Sequence, residues 1–258
     1  MQHYSREKKG LKILNLIFYI FMIAANGLAN TKIFGQSTTG EISDKYSNLF
    51  TPAGITFAIW VVIYIMLGYF VLYQLGKNGY GARKEITEKI GIWFIVSCIL
   101  NGAWLYFWAF DLIGLSMIAM LALLVVLFLI YFKIYPLEDF LYYDEKKGFL
   151  LPFSLYLGWI CVATIANFSA FVKYMNWNLF NVSEIVWVSL AILLAVLINL
   201  FFIWIRKDKA FGLVGIWALA GIAYGRYLEG GFMPVGYIAG LGVFILLAVM
   251  INTHIRKR

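Results

Sequence analysis

Eight stretches of this chain, near residues 12–31, 54–75, 91–110, 112–134, 149–172, 184–205, 210–228 and 232–253, run with almost no charge. About 20 apolar residues carry one helix across the hydrocarbon core of a bilayer. Unpaired backbone groups are costly in hydrocarbon, so a spanning chain forms helices or a closed barrel. Barrel strands alternate apolar and polar residues, whereas these runs are continuous. The expected fold is therefore all-α, a polytopic membrane protein of eight transmembrane helices. With 63% hydrophobic and 13% charged residues, against roughly 25% charged in soluble domains, no soluble domain is expected beside the helices. The first run follows a basic start (Arg6, Lys8, Lys9), as a secretory signal would, but it reaches full spanning length without a small-x-small cleavage site and is kept as a span.

The charge pattern orients the spans. Of the 21 Lys and Arg, only Lys32, Lys45, Lys173 and Arg226 fall in the first, third, fifth and seventh connections. The others fall at the two ends or in the alternate connections, among them Lys12, Lys77, Arg83, Lys84, Lys89, Lys133, Lys146, Lys147, Arg206, Lys207, Lys209 and Arg256 to Arg258. Cytoplasmic loops carry the positive excess, so both termini are expected in the cytoplasm, with the protein multi-pass in the cell membrane of a prokaryote. The net charge of +8 is scattered through these short connections rather than gathered on one face, which argues against a nucleic-acid partner. Asn181 and Glu184 have the spacing of a capping box at the start of the sixth span, and Asn181-Val182-Ser183 is formally a glycosylation triplet. The segment from Thr31 to Pro52 is the longest outer connection, long enough to lie over a cavity mouth.

Charges inside spans usually mark ion paths or proton relays, and none is evident: Asp111, Glu184, Arg226 and Glu229 are all expected in turns or at helix ends. The distinctive content is aromatic. Trp93, Trp177, Trp187 and Trp204 lie near span ends, as interfacial anchors do. On the third span Trp93, Ser97, Asn101, Trp104 and Trp108 recur every three or four residues, which stacks them on one helix face. Trp159, Ala163 and Asn167 do the same on the fifth span, and Phe57, Trp60 and Tyr64 on the second. Asparagine and indole N–H groups need partners and should face the bundle interior. Two readings follow: the three faces line an aromatic cavity for a flat conjugated ligand, or they hold helices together by hydrogen bonds and packing. Gly221 with Gly225, and Gly236 with Gly240, have the small-x-x-x-small spacing that lets helices approach. Cys98 and Cys161 lie inside spans as small apolar residues, and with only His3 and His254 no metal or catalytic cluster emerges.

Three segments carry a resemblance. FTPAGITFAIWVVIY (Phe50 to Tyr64), LNGAWLYFW (Leu100 to Trp108) and LLPFSLYLGWICVATIANF (Leu150 to Phe168) resemble the TspO/MBR family of tryptophan-rich sensory proteins, the translocator-protein or peripheral-type benzodiazepine-receptor family. The resemblance implies a TspO-like five-helix bundle, taken here as residues 1–176, with residues 177–258 forming a three-helix C-terminal extension. It implies binding of porphyrins or other tetrapyrroles in a pocket open toward the first outer loop. Pro52 and Gly54 would shape the mouth, and Trp60, Asn101, Trp104, Trp159 and Asn167 would line the pocket. The ligand-binding set expected from stripes and resemblance together is Pro52, Gly54, Phe57, Trp60, Tyr64, Asn101, Trp104, Trp108, Trp159, Ala163 and Asn167. Phe168 stands where the cholesterol motif of animal members has a tyrosine, so sterol binding is not expected.

The function expected is that of a receptor or sensor-like membrane protein for porphyrins or similar flat hydrophobic molecules; the alternative is a carrier for a neutral or amphipathic solute. No cofactor or metal is expected beyond a bound porphyrin or haem-like ligand. The partners expected are the lipid bilayer and that small hydrophobic ligand, with a homodimer left open. No enzyme activity is expected from the residues; the resemblance alone implies light-dependent porphyrin breakdown as a property of some members.

Overall fold

The computed structural model describes residues 2–33, 37–76, 82–177, 182–228 and 233–255, apart from the side chains of residues 2–9, 82–84 and 254. Lys77, Asn181, Glu229 and Arg256 to Arg258 lie outside the described residues, as do the side chains of His3, Arg6, Lys8, Lys9, Arg83, Lys84 and His254. In chain order the helices are α1 (Gln2–Ala29), α2 (Thr39–Lys45), α3 (Ile59–Leu75, entered through a 3-10 turn at Gly54–Ala58), α4 (Ala82–Ile90), α5 (Trp93–Ala109), α6 (Ile113–Ile134), the single turn α7 (Tyr143–Glu145), α8 (Leu151–Tyr174), α9 (Glu184–Leu200), α10 (Lys209–Leu228) and α11 (Met233–Ile255). No strand occurs among the described residues.

Seven of the helical stretches are long and apolar enough to cross a membrane: Gly10–Ala29, Gly54–Leu75, Ile113–Phe140, Tyr143–Tyr174, Glu184–Ile205, Lys209–Leu228 and Met233–Thr253. The eighth apolar helix, α5, has 17 residues, or about 25 Å at ~1.5 Å per residue, which lies at the short end of spanning helices. The protein is thus a multi-pass, all-helical membrane protein. Single π turns extend two spans, at Lys146–Leu150 before α8 and Phe201–Ile205 after α9. The fifth span consequently begins nearer Tyr143 than residue 149. Arg226, expected in a connection, lies instead in the last turn of α10 and is buried.

The chain divides into two compact units, residues 1–39 with 60–157 and residues 40–59 with 158–258. In the first, α5 packs along both α1 and α6. Phe70 of α3 is the hub of its core, with Phe94, Phe149 and Phe153 edge-on to it at 4.9, 6.0 and 5.1 Å between ring centres. Small residues set the close approaches. A Cβ on Gly68 would stand 2.6 Å from the Tyr19 hydroxyl, and one on Gly102 would stand 3.0 Å from the Phe21 ring. Only 17% of the apolar stretch of α1 is buried, leaving Ile13, Ile17 and Ile20 as lipid-facing surface.

The second unit packs α10 against α11, α9 and the 3-10 turn that leads into α3. Asp208 caps α10, its Oδ1 accepting the Phe211 N–H at 3.0 Å. Phe211 then stacks on Phe202 with ring centres 3.8 Å apart. The Gly221 and Gly225 face of α10 does admit a close neighbour, and that neighbour is segment 52–56, where irregular backbone enters the 3-10 turn. A Cβ on Gly221 would come 2.1 Å from Thr56 Oγ1, and one on Gly225 would come 3.0 Å from the Ala53 nitrogen. Gly236 meets Arg226 and Ala223 of α10, whereas Gly240 has open space. A valine at Gly221 has nowhere to go without displacing the turn, and overpacking of this kind costs about 1–3 kcal/mol. Gly221→Val is expected to lower the thermal midpoint of the detergent-solubilised protein by several degrees while Gly240→Ala leaves it unchanged; equal midpoints for the two variants would contradict this packing.

Candidate functional site

The second, third and fifth spans were each expected to carry a polar and aromatic face, and the first unit assembles two of those faces around amide groups. Asn101 is fully buried at the middle of α5, where its amide must be satisfied by protein because hydrocarbon offers nothing. Its Nδ2 donates to the Tyr156 hydroxyl at 3.0 Å, and its Oδ1 accepts from Asn26 Nδ2 at 3.0 Å. Asn26 Oδ1 in turn accepts from the Tyr64 hydroxyl at 2.5 Å, and the Tyr19 hydroxyl donates to the Tyr64 carbonyl at 2.9 Å. One hydrogen-bonded chain therefore joins α1, α3, α5 and the first turns of α8.

The aromatic rings follow from that arrangement. Three residues after Asn101 comes Trp104, and four further Trp108, both on the same face of α5 and both nearly buried. Trp60 lies between Trp104, at 5.7 Å and 28°, and Tyr64, at 5.2 Å and 20°, so three rings stack in nearly parallel planes. Trp108 continues the ladder at 6.4 Å from Trp104 and donates its indole N–H to the Thr39 carbonyl at 3.1 Å. Tyr156 closes the side of Trp60 edge-on at 6.1 Å. Of the expected set, Trp60, Tyr64, Asn101, Trp104 and Trp108 come together here.

The remaining six belong to the second unit. Phe57 meets Trp159 edge-on at 6.1 Å and 88°. Ala163 and Asn167 follow Trp159 on α8, with Asn167 buried. Pro52 lies in the segment that α10 holds. Ala53 N–H donates to the Gly221 carbonyl at 3.0 Å, Trp217 Nε1 to the Thr56 carbonyl at 2.8 Å, and Arg226 NH2 to the Thr51 carbonyl at 3.1 Å. Gly54 is exposed and free of close neighbours. Nearer the start of this segment, Glu184 Oε1 accepts the Leu49 N–H at 2.9 Å and Lys173 Nζ donates to the Ser47 carbonyl. Glu184 thus tethers a distant loop, and Ser183, the residue before α9, makes no side-chain cap.

Sequence reasoning missed Asn26, Tyr19 and Tyr156. The signal was present: Asn15, Tyr19 and Asn26 recur at steps of four and seven on α1, one face of a helix. Asn15 is indeed fully buried, its Nδ2 donating to Gln74 Oε1 at 2.9 Å. Tyr156 stands three residues before Trp159.

The fold and this site define a class: a multi-pass helical membrane protein with a stacked aromatic ladder on an intramembrane amide network. Residues 12–252 match the sequence model of the family described as TSPO-like protein, and the chain belongs to that family. The match takes in the last three spans as well as the first five. No curated protein and no solved structure matches it.

Two expectations follow from the geometry. Asn101→Leu leaves the buried polar groups of Asn26 and Tyr156 short of a partner, at a cost of about 1–3 kcal/mol. Its thermal midpoint should fall well below that of Leu100→Ile, and coincidence of the two would show that the network carries no stability. In amide hydrogen exchange, Leu49, whose acceptor is an exposed carboxylate, should exchange before Ala53, whose acceptor is the backbone of α10; the reverse order would contradict the bonding described.

Proposed function

We propose that this TSPO-like protein is a membrane receptor or sensor-like protein that binds porphyrins or similar flat hydrophobic ligands. The observation that carries the proposal is the ladder Tyr64, Trp60, Trp104 and Trp108. A flat conjugated ligand gains most from aromatic faces in near-parallel planes, and a slot lined by such faces with few convergent polar groups is the usual form of a small-molecule site. Asn101 and Tyr156 supply those polar groups beside Trp60. The ladder stacks on itself, so a ligand joins it by extending the stack or by parting two rings, and either event changes tryptophan emission. Within the second unit, Phe57, Trp159, Ala163 and Asn167, together with Pro52 and Gly54, are proposed as ligand contacts of that unit in its own right. The alternation of Lys and Arg supports cytoplasmic termini.

Protoporphyrin IX titrated into the detergent-solubilised protein should quench tryptophan fluorescence saturably. Loss of one stacking partner in Trp104→Ala should weaken binding about tenfold, equivalent to ~1.4 kcal/mol. Absence of saturation, or an unchanged affinity in Trp104→Ala, would refute the assignment.

A further inference from the structure

The second unit holds a cavity of about 360 Å³ that the aromatic ladder does not involve, lined among others by Lys173, Asn176, Trp177, Glu184 and Trp187. Its volume falls in the range of small-molecule sites, roughly 300–1,000 Å³. It lies where α8 stops and α9 starts. These are ends of two spanning helices, so the cavity sits at the level of the lipid headgroups.

The helix stop builds one wall. Asn176 has φ of 49°, the left-handed conformation that asparagine tolerates. Trp177 N–H bonds to the Val172 carbonyl at 3.1 Å and Asn176 N–H to the Lys173 carbonyl at 3.1 Å, the two bonds of a Schellman motif. That motif turns Trp177 back toward Val172, and both line the cavity. The start of α9 adds Glu184, Trp187 and Val188 to the lining. Phe168 meets Trp187 edge-on at 5.5 Å and fixes its ring.

Two opposite charges therefore face one small space between two indoles and several valines. Lys173 uses one N–H on the Ser47 carbonyl, and an ammonium group has three. Glu184 Oε1 receives the Leu49 N–H, and a carboxylate has a second oxygen. An anion beside Lys173 and a cation beside Glu184 and the indole faces would both be matched, the latter also by cation–π attraction. We propose that this cavity binds a phosphate–ammonium zwitterion of the kind that heads a phospholipid, with phosphate at Lys173 and the ammonium group between Glu184 and the rings of Trp177 and Trp187. The valines suit the apolar part of a lipid-borne ligand.

The test uses the full chain, delipidated in detergent, with bound species counted by native mass spectrometry. Two probes are compared: dihexanoylphosphatidylcholine below its micellar concentration, and free phosphocholine. A single saturable adduct is expected with at least one of them. Binding of the lipid alone would make the bilayer the source, and equal binding of phosphocholine would make the free headgroup sufficient; either supports the site. Lys173→Gln and Glu184→Gln should each reduce occupancy at least fivefold. Both residues also tether residues 47–49, so Trp177→Leu, at an exposed side chain outside those tethers, is the control against misfolding and should lower occupancy at least threefold. No adduct with either probe, or an adduct that Trp177→Leu and Lys173→Gln leave unchanged, would overturn the proposal.

Discussion

An amide in hydrocarbon has only protein to bond with, and in the first unit that constraint falls on Asn101. Lipid gives helices little hydrophobic reason to associate, so packing and interhelical hydrogen bonds decide their arrangement. Asn101 sends one bond to Tyr156 and receives one from Asn26, which also holds Tyr64. The rotational setting of α5 is thereby fixed against α1 and α8, and that of α3 against α1. Once α5 is set, Trp104 and Trp108 have no choice of face, and once Tyr64 is held, Trp60 four residues earlier must point the same way. The aromatic ladder is thus a consequence of amide satisfaction. Reading the stripes as helix glue and the proposal that they form a ligand surface are accordingly not rivals, because the bonds that hold the helices also set the faces of the rings.

The second unit solves a different problem. Residues 51–53 are irregular and lead into the 3-10 turn at Gly54–Ala58, and such non-α backbone at the membrane is tolerated only where protein satisfies its polar groups. The α10 helix does so with one face. Trp217, Gly221 and Gly225 recur at four-residue steps, with Arg226 adjoining, and bond or touch Thr56, Ala53 and Thr51. Glycine spacing usually associated with helix pairs here receives a loop. The last spans therefore have a definite structural task.

The spans were legible because hydrophobic length is a crude and strong signal, and the faces of the second, third and fifth spans because Trp and Asn recur at helical steps. Asn26 shares a helix face with Asn15 and Tyr19, but its partners lie 38 and 75 residues away, so the local pattern marks the face without naming what it bonds to. Arg226 was placed outside its helix because a charge near Glu229 and two glycines resembles a connection; its guanidinium is instead spent on a backbone carbonyl of a distant segment. The π turns at Lys146–Leu150 and Phe201–Ile205 have no residue signature, since they answer to packing.

The tethers on residues 47–56 are graded. Lys173 and Glu184 are exposed, and exposed charged contacts contribute little, about 0–1 kcal/mol. Arg226 is buried, and Trp217 is half-shielded with its N–H committed to Thr56, so breaking those bonds leaves polar groups unmet in a poor solvent, a penalty of roughly 1–3 kcal/mol each. Gly221 and Gly225 add close backbone contact that no water can replace. The segment is therefore held loosely at Ser47 and Leu49 and firmly from Thr51 onward. Pro52 and Gly54 belong to the firm part, so the lead-in to α3 is a fixed surface, and the looser backbone is that of the residues before it.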